Sequence, residues 1–449
     1  MPDPETAPPS PSRPSAALFT LYLIAFVDLL GFGILIPLLP FYALKFEATA
    51  VAVALLGSVY SLCQMIGAPV LGMISDRVGR RPVLLISQFG SAVGFVILGI
   101  ATLVHWPSAT IGLGVLFAAR VIDGFSGGNI AAVQAYISDI TPKADRAKRM
   151  GMLGAAFGLS FALGPAIGGL LGVVSPALPA FVAAGCAVSA MALTAIVLPE
   201  SVRRRSNELD HPAEPVPASD AIDEEAAPPR LAWLSPARLK AVVERPILAM
   251  IIGIWFWCMA AFVMMETVFA LFAEAQFGLG PRGVGAMFAL AGVTIVIVQG
   301  GLVGMLAKRF GEWTLVVAGG AIVALAMGMF VLSAETNWLW LIVLAGVVNA
   351  AGRSLIGPTL SALVSKESPA DRQGAVFGLF NGMGSLARVL GPLLAGYLFI
   401  HDIELPFIVA GFVCSGVAIW ALMILLHLRR NAPRGFEVAP VDPQTASHA

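Results

Sequence analysis

Twelve long apolar runs, each parted from the next by a polar gap, dictate what this 449-residue chain can become. They cover residues 18–41, 50–74, 83–104, 111–137, 151–173, 179–198, 247–272, 283–307, 314–332, 338–364, 374–399 and 406–428. About 20 apolar residues in a helix span the hydrocarbon of a bilayer. Inside lipid a backbone must satisfy its own hydrogen bonds, so only helices or a closed barrel can cross. A barrel strand alternates in polarity over about ten residues, and these runs do not alternate. An all-α membrane protein is therefore expected. Hydrophobic residues make up 58% of the chain and charged ones 12%, too few charges to coat a water-soluble surface of this length.

Lysine and arginine orient the runs. The even-numbered gaps and the two tails carry nearly all the basic residues outside the runs, whereas the odd-numbered gaps hold only Lys45 and Arg282. Basic residues stay on the cytoplasmic side, which puts both termini of a multi-pass protein in the cytoplasm. Residues 1–17 are rich in Pro and Ser, with Arg13 their one basic residue. They are read as a disordered cytoplasmic tail, since a cleavable signal needs a basic start and a short apolar core. Residues 429–449 form the second tail. A net charge of zero argues against a nucleic-acid partner. Cys63, Cys186, Cys258 and Cys414 lie far apart inside apolar runs, which suits neither a metal site nor a disulfide framework.

The gap at 199–246 mixes Pro, Ala, acids and bases, and reads as a flexible cytoplasmic linker. Near its end, Ser235 and Pro236 form a helix start and Pro246 a stop. Trp233, Leu234, Leu239 and Val242, with Arg238 and Lys240, predict an amphipathic helix near 235–245 on the inner membrane face. The linker divides the chain into similar halves, 18–198 and 247–428. Gly72-x-x-x-Asp76-Arg77-x-Gly79 is answered by Gly304-x-x-x-Lys308-Arg309-x-Gly311. Thr141-Pro142-x-x-Asp145-Arg146 is answered by Ser368-Pro369-x-Asp371-Arg372, and Gly164-Pro165-x-x-Gly168-Gly169 by Gly391-Pro392-x-x-x-Gly396. Three matches in one order imply an internal duplication about an axis along the membrane normal.

On these motifs the chain resembles the major facilitator superfamily, whose fold is twelve transmembrane helices in two pseudo-symmetric six-helix halves. Gly72-x-x-x-Asp76-Arg77-x-Gly79-Arg80-Arg81 is similar to the family's loop signature between helices 2 and 3. Arg120-x-x-Asp123-Gly124 is similar to a helix 4 motif of proton-coupled members. Gly164-Pro165-x-x-Gly168-Gly169 is similar to the helix 5 motif of drug-exporting antiporters, with Ser160 where the fuller motif has glycine. Asp28, Gly31, Gly33, Pro37 and Pro40 in the first run resemble helix 1 of tetracycline-type exporters. Those pumps also carry acids in helices 3 and 9, and this chain has none there. The resemblance implies a monomeric, cofactor-free secondary transporter of a bacterial inner membrane. It would export small amphiphilic compounds, antibiotics among them, in exchange for protons by alternating access. The alternative is a proton-coupled symporter or uniporter that imports a metabolite or organic anion, for which Arg353 and Arg388 are the best support.

Ionisable groups inside a membrane cost about 3 kcal/mol or more each, so they usually serve a function. Here they are Asp28, Arg120, Asp123, Glu266, Arg353 and Arg388. A carboxylate poised between burial and a nearby guanidinium can take a proton from one side and release it to the other. Asp28, Arg120 and Asp123 are therefore the proton-coupling candidates. Arg120 and Asp123 are one turn apart, and either neutralise each other or leave Arg120 to tune a proton site. Glu266, opposite Asp28 by the repeat, suits a cationic or zwitterionic amphiphile. Arg353 and Arg388 either contact substrate or are paired internally. Gln88, Gln299, Asn349 and Asn381, with Trp257, Met265 and Phe269, complete the substrate-binding candidates; polarizable side chains adapt to varied ligands.

Asp76, with Arg77, Arg80, Arg81, Gly72 and Gly79, is a gating candidate. By resemblance this loop latches the two halves on the cytoplasmic side while the cavity opens outward, and inward opening breaks its contacts. Gly164, Pro165 and Gly168 provide close helix packing or a hinge. Ser126, in Gly124-x-Ser126-x-Gly128, fits a hydrolase pattern but lacks the strand-to-helix turn and the His/acid pair such chemistry needs. No phosphate-cradling loop occurs in the sequence. The chain is not expected to be an enzyme.

Overall fold

The computed structural model describes residues 14–141, 146–200, 245–368 and 373–431. Regular structure among the described residues is entirely helical. The first predicted run becomes α1 (Pro14–Leu35) and the short α2 (Leu39–Leu44). Pro37 and Pro40 lack the N–H that would continue one helix, which ends the first near its expected boundary and turns the chain. At its other end α1 begins at Pro14, inside the expected tail. Runs two and three become α3 (Ala50–Val78) and α4 (Arg80–Leu103). Run four is two helices, α5 (Ala109–Ser126) and α6 (Ile130–Asp139), joined by a 3-10 turn at Gly127–Asn129. α7 (Arg146–Val174) and α8 (Leu178–Val197) complete the first bundle.

The second bundle starts with α9 (Pro246–Phe277). α10 (Pro281–Ile297) passes through a π segment, Val298–Leu302, into α11 (Val303–Phe310). α12 (Glu312–Thr336), α13 (Leu339–Glu367), α14 (Gln373–Phe399) and α15 (Leu405–Asn431) follow. Among the described residues, eleven stretches are long and apolar enough to cross a membrane. α7, 29 residues long with an apolar Leu163–Val174 portion, supplies the fifth run. The amphipathic helix expected near 235–245 lies, Arg245 apart, outside the described residues, as do Pro142, Asp145, Pro369, Asp371 and Arg372 of one repeated motif.

Polar caps start the helices where the sequence allows. Thr49 Oγ1 accepts from Ala52 N, and Ser108 Oγ from Ile111 N, each at 3.3 Å. The second bundle is held by interlocked aromatics: the Phe407 ring lies 4.6 Å from Phe272 and 5.3 Å from Phe330.

The bundles meet most closely toward the face that carries α2 and the 44–49 turn. There α7 packs on α10, and α3 on α14. A Cβ added to Gly285 would sit 2.4 Å from Gly169 Cα, so only paired glycines permit the approach. Ser58 Oγ donates to Val389 O at 2.9 Å across the same seam. Toward the opposite, arginine-rich face a Cβ on Gly72, Gly300, Gly301 or Gly304 would meet nothing within 4 Å. The close contacts between the bundles thus gather toward the face that carries α2.

Candidate functional site

The charges of the first bundle meet where run four breaks. Gly127 and Gly128 tighten the chain into the 3-10 turn, and the turn delivers Asn129 to α1. Asn129 Nδ2 donates to Asp28 Oδ2 at 2.9 Å, with Asn129 almost wholly buried. About two turns earlier, Arg120 Nη2 lies 3.0 Å from Asp123 Oδ2, both side chains at most 3% exposed. This is charge contact without good hydrogen-bond angles, because Arg120 Nε and Nη2 and Asp123 Oδ2 have no directed partner. The guanidinium also lies 5.3 Å from the Tyr60 ring, which stacks on Phe32 at 4.9 Å.

Between the bundles runs a cavity in three adjoining lobes. One of about 300 Å³ is bordered by Tyr60, Gln64, Arg120, Glu266, Arg353 and Arg388. Another of about 280 Å³ reaches into the second bundle past Trp255, Met259, Gln299, Asn349, Arg353 and Arg388. A smaller lobe of about 60 Å³ touches Met265, Glu266, Phe269, Asn349 and Pro165. Phe262 and Arg353 border all three, so the lobes adjoin. The Arg353 guanidinium sits 3.1 Å from the centre of the Phe262 ring. The π segment contains Gln299 and breaks the regular helix beside the cavity, a common place for such a segment.

The cavity thus gathers Arg120, Glu266, Gln299, Asn349, Met265, Phe269, Arg353 and Arg388 from the candidates. Asp28 and Asp123 lie behind it in the first bundle and do not border a lobe. Gln88, fully buried in α4, does not border it either, and both its amide atoms lack partners. Trp257, 47% exposed, and Asn381 also stand apart from it. Of the two acids set opposite each other by the repeat, Glu266 borders the cavity and Asp28 bonds to Asn129. Tyr60, Gln64, Phe262 and Asn129 were not singled out in the sequence. Gln64, the one amide in run two, and Asn129, one of two in run four, had a readable signal.

The loop signature closes on its own bundle. Gly79 has a left-handed φ of 111°, which ends α3 and starts α4. Arg80 Nη1 is 2.5 Å from Asp76 Oδ1, and Arg80 Nε is 3.2 Å from Asp139 Oδ2. Glu200 caps α4: it accepts from Arg80 N at 2.9 Å and from Arg81 N at 3.2 Å. Arg81 donates to Ala195 O. These partners of Asp76, Arg80 and Arg81 all lie in the first bundle. Asp76 and Arg80 are four residues apart across a helix junction. In the second bundle, Lys366 pairs with Glu312, tying the start of α12 to the end of α13.

Two helical bundles around a central charged cavity define a membrane transporter rather than an enzyme. The chain matches the Major Facilitator Superfamily model over residues 21–392, with a second match over 334–445, and it belongs to that family. It is 30% identical over 417 residues to the tetracycline resistance protein, class D, of Salmonella ordonez, covering 92% of this chain and 96% of that one. It is 28% identical over 394 residues to multidrug resistance protein 2 of Bacillus subtilis (strain 168), covering 86% and 90%. The fold is shared with the human organic anion transporter MFSD10, with a TM-score of 0.63 at 23% identity over 91% of this chain and 100% of that one. It is shared too with the nucleoside transporter NupG, with a TM-score of 0.69 at 12% identity over 92% and 99%.

Proposed function

We propose that this protein exports small amphiphilic compounds from a bacterial cell in exchange for protons, by alternating access between its two six-helix halves. The observation that carries the reading is a charged cavity between bundles that meet most closely toward one face, backed by carboxylates held inside the first bundle. With the arginine-rich face in the cytoplasm, as positive charge dictates, the close contacts are extracellular and the cavity is read as open inward. Relatives named for tetracycline and multidrug resistance support a drug-like cargo. Asp28 is the proton carrier in this reading, held ready by Asn129. Arg120 and Asp123 set the field around it. Protonation removes the Asp28 charge from lipid depth, where each charge is costly, and so eases the rearrangement to the other state. Gly72, Asp76, Arg77, Gly79, Arg80 and Arg81 act within the gate, with their bonds satisfied inside one half while the cavity faces the cytoplasm. Gly164, Pro165 and Gly168 serve the same gating step through close helix packing. A single chain is the working unit.

Import of an organic anion is the second reading, favoured by two arginines in one cavity. Accumulation of a fluorescent cargo in cells with and without the gene separates the two. Lower content in energised cells, abolished by a protonophore, is the outcome expected of an exporter. Higher content in energised cells supports import and overturns export.

A further inference from the structure

We infer that the cargo is an apolar-bodied anion, its charged head between Arg353 and Arg388 and its body against Phe262, Met259 and Trp255. The inference rests on reading the central space as the transport cavity. Among the described residues, three guanidiniums border that space and one carboxylate, Glu266. Arg120 has its own counter-ion 3.0 Å away in Asp123. Arg353 and Arg388 have no carboxylate within 4 Å among the described residues. Glu266 acts on both at longer range, one acid shared by two bases.

The empty pocket therefore holds one positive charge in excess, and with Arg388 exposed and Arg353 half-buried both guanidiniums stand open to a ligand. A ligand anion supplies the missing charge. Each guanidinium offers a planar fork that fits a carboxylate or sulfonate through two parallel bonds. Asn349 and Gln299 add amide donors beside the same lobe. The remaining wall is flat and apolar: the Phe262 ring is already covered by Arg353 at 3.1 Å, and Trp255 stacks on Phe380 at 4.7 Å. A cationic amphiphile would meet two guanidiniums with one carboxylate to set against them, so the cavity selects against it. Anion export also fits the energetics. An interior-negative membrane drives an anion outward, and the same potential drives the exchanged proton inward.

Isothermal titration of the purified protein in detergent tests this with three probes of one shape: 1-naphthylacetate, its neutral amide and 1-naphthylmethylammonium. The anion is expected to bind about tenfold or more tighter than the amide, the worth of one charge-assisted contact. The ammonium is expected to bind weakest. Arg353→Gln and Arg388→Gln should each weaken the anion about tenfold and leave the amide unchanged, Arg353→Lys should recover part of the loss, and Arg282→Gln should do nothing. Equal binding of anion and amide, tighter binding of the ammonium, or no binding of the anion overturns the inference. If a Gln variant does not fold, the ranking of the probes on the unaltered protein still decides. Because no gradient is present, anion binding without proton-driven export would sink the export reading alone. Proton-driven export with cation-selective binding would sink this one alone.

Discussion

At the scale of single residues, the proposed coupling rests on the pair Asp28 and Asn129. The 2.9 Å bond joins α1 to the turn inside run four, and Asp28 needs it because little else polar reaches that depth. Asp28→Asn keeps the shape and a hydrogen-bonding amide but cannot change charge. Proteoliposomes carrying it should bind cargo normally yet lose pH-driven flux about tenfold or more, the scale of removing an essential proton carrier. Wild-type flux under the same gradient would rule Asp28 out. Asn129→Ala asks a different question, because it leaves the carboxylate without its donor. Interhelical hydrogen bonds in membranes are worth about 1 kcal/mol, so a modest fall in Tm in detergent is expected for Asn129→Ala, with flux reduced rather than abolished. The six intramembrane charges were all readable from the sequence, because charged residues are rare within the apolar runs. Their partners were not. Nothing in the spacing of Asp28 and Asn129, 101 residues apart, says that they touch.

At the scale of helices, backbone geometry is carried by glycine and by caps rather than by side-chain packing alone. In the α1–α7 contact a Cβ on Gly168 would stand 1.9 Å from the Ile34 carbonyl, and one on Gly164 would stand 2.7 Å from Gly33. The obstacle is backbone and cannot swing aside. Gly168→Val should therefore prevent accumulation of folded protein, read by fluorescence-detected size exclusion, whereas Gly304→Val, in open space, should not. The start of α4 makes the companion case. Glu200 satisfies two of its free N–H groups, a contact worth about 1 kcal/mol by analogy with other helix caps. Glu200→Gln keeps the acceptor and loses the charge, and should lower Tm less than Glu200→Ala does. The twelve runs were legible because lipid demands long apolar helices, and the repeats because they keep small residues at fixed offsets. The break in run four and the π segment in run eight were not legible. Both are local changes of helical winding, and both leave the apolar pattern intact. Asp139 and Glu200, which finish the loop cluster, sit near it only after α6 and α8 return to the same face.

At the scale of the whole molecule, the proposed alternating access depends on the seam that joins the two bundles. The seam of α7 with α10 and of α3 with α14 is built of very small residues: Gly169 against Gly285, Gly396 against Ala54. Such a seam has little side-chain interlock to undo, so it can part as a unit while each bundle keeps its own aromatic core. A wedge placed in it should then shift the balance of states rather than unfold either half. Gly285→Leu is that wedge, because its Cβ alone would lie 2.4 Å from Gly169 Cα. Thr267 borders the cavity and gives a reporter. In a cysteine-free background, Thr267→Cys should react slowly with a membrane-impermeant maleimide added outside intact cells. With Gly285→Leu added, the same cysteine should react about tenfold faster, equivalent to about 1.4 kcal/mol moved between states, and cargo flux should fall because return to the sealed state is blocked. Faster labelling with normal flux would mean that the seam does not gate transport. Unchanged labelling with intact folding would mean that the bundles do not separate there, and alternating access would have to be sought along another interface.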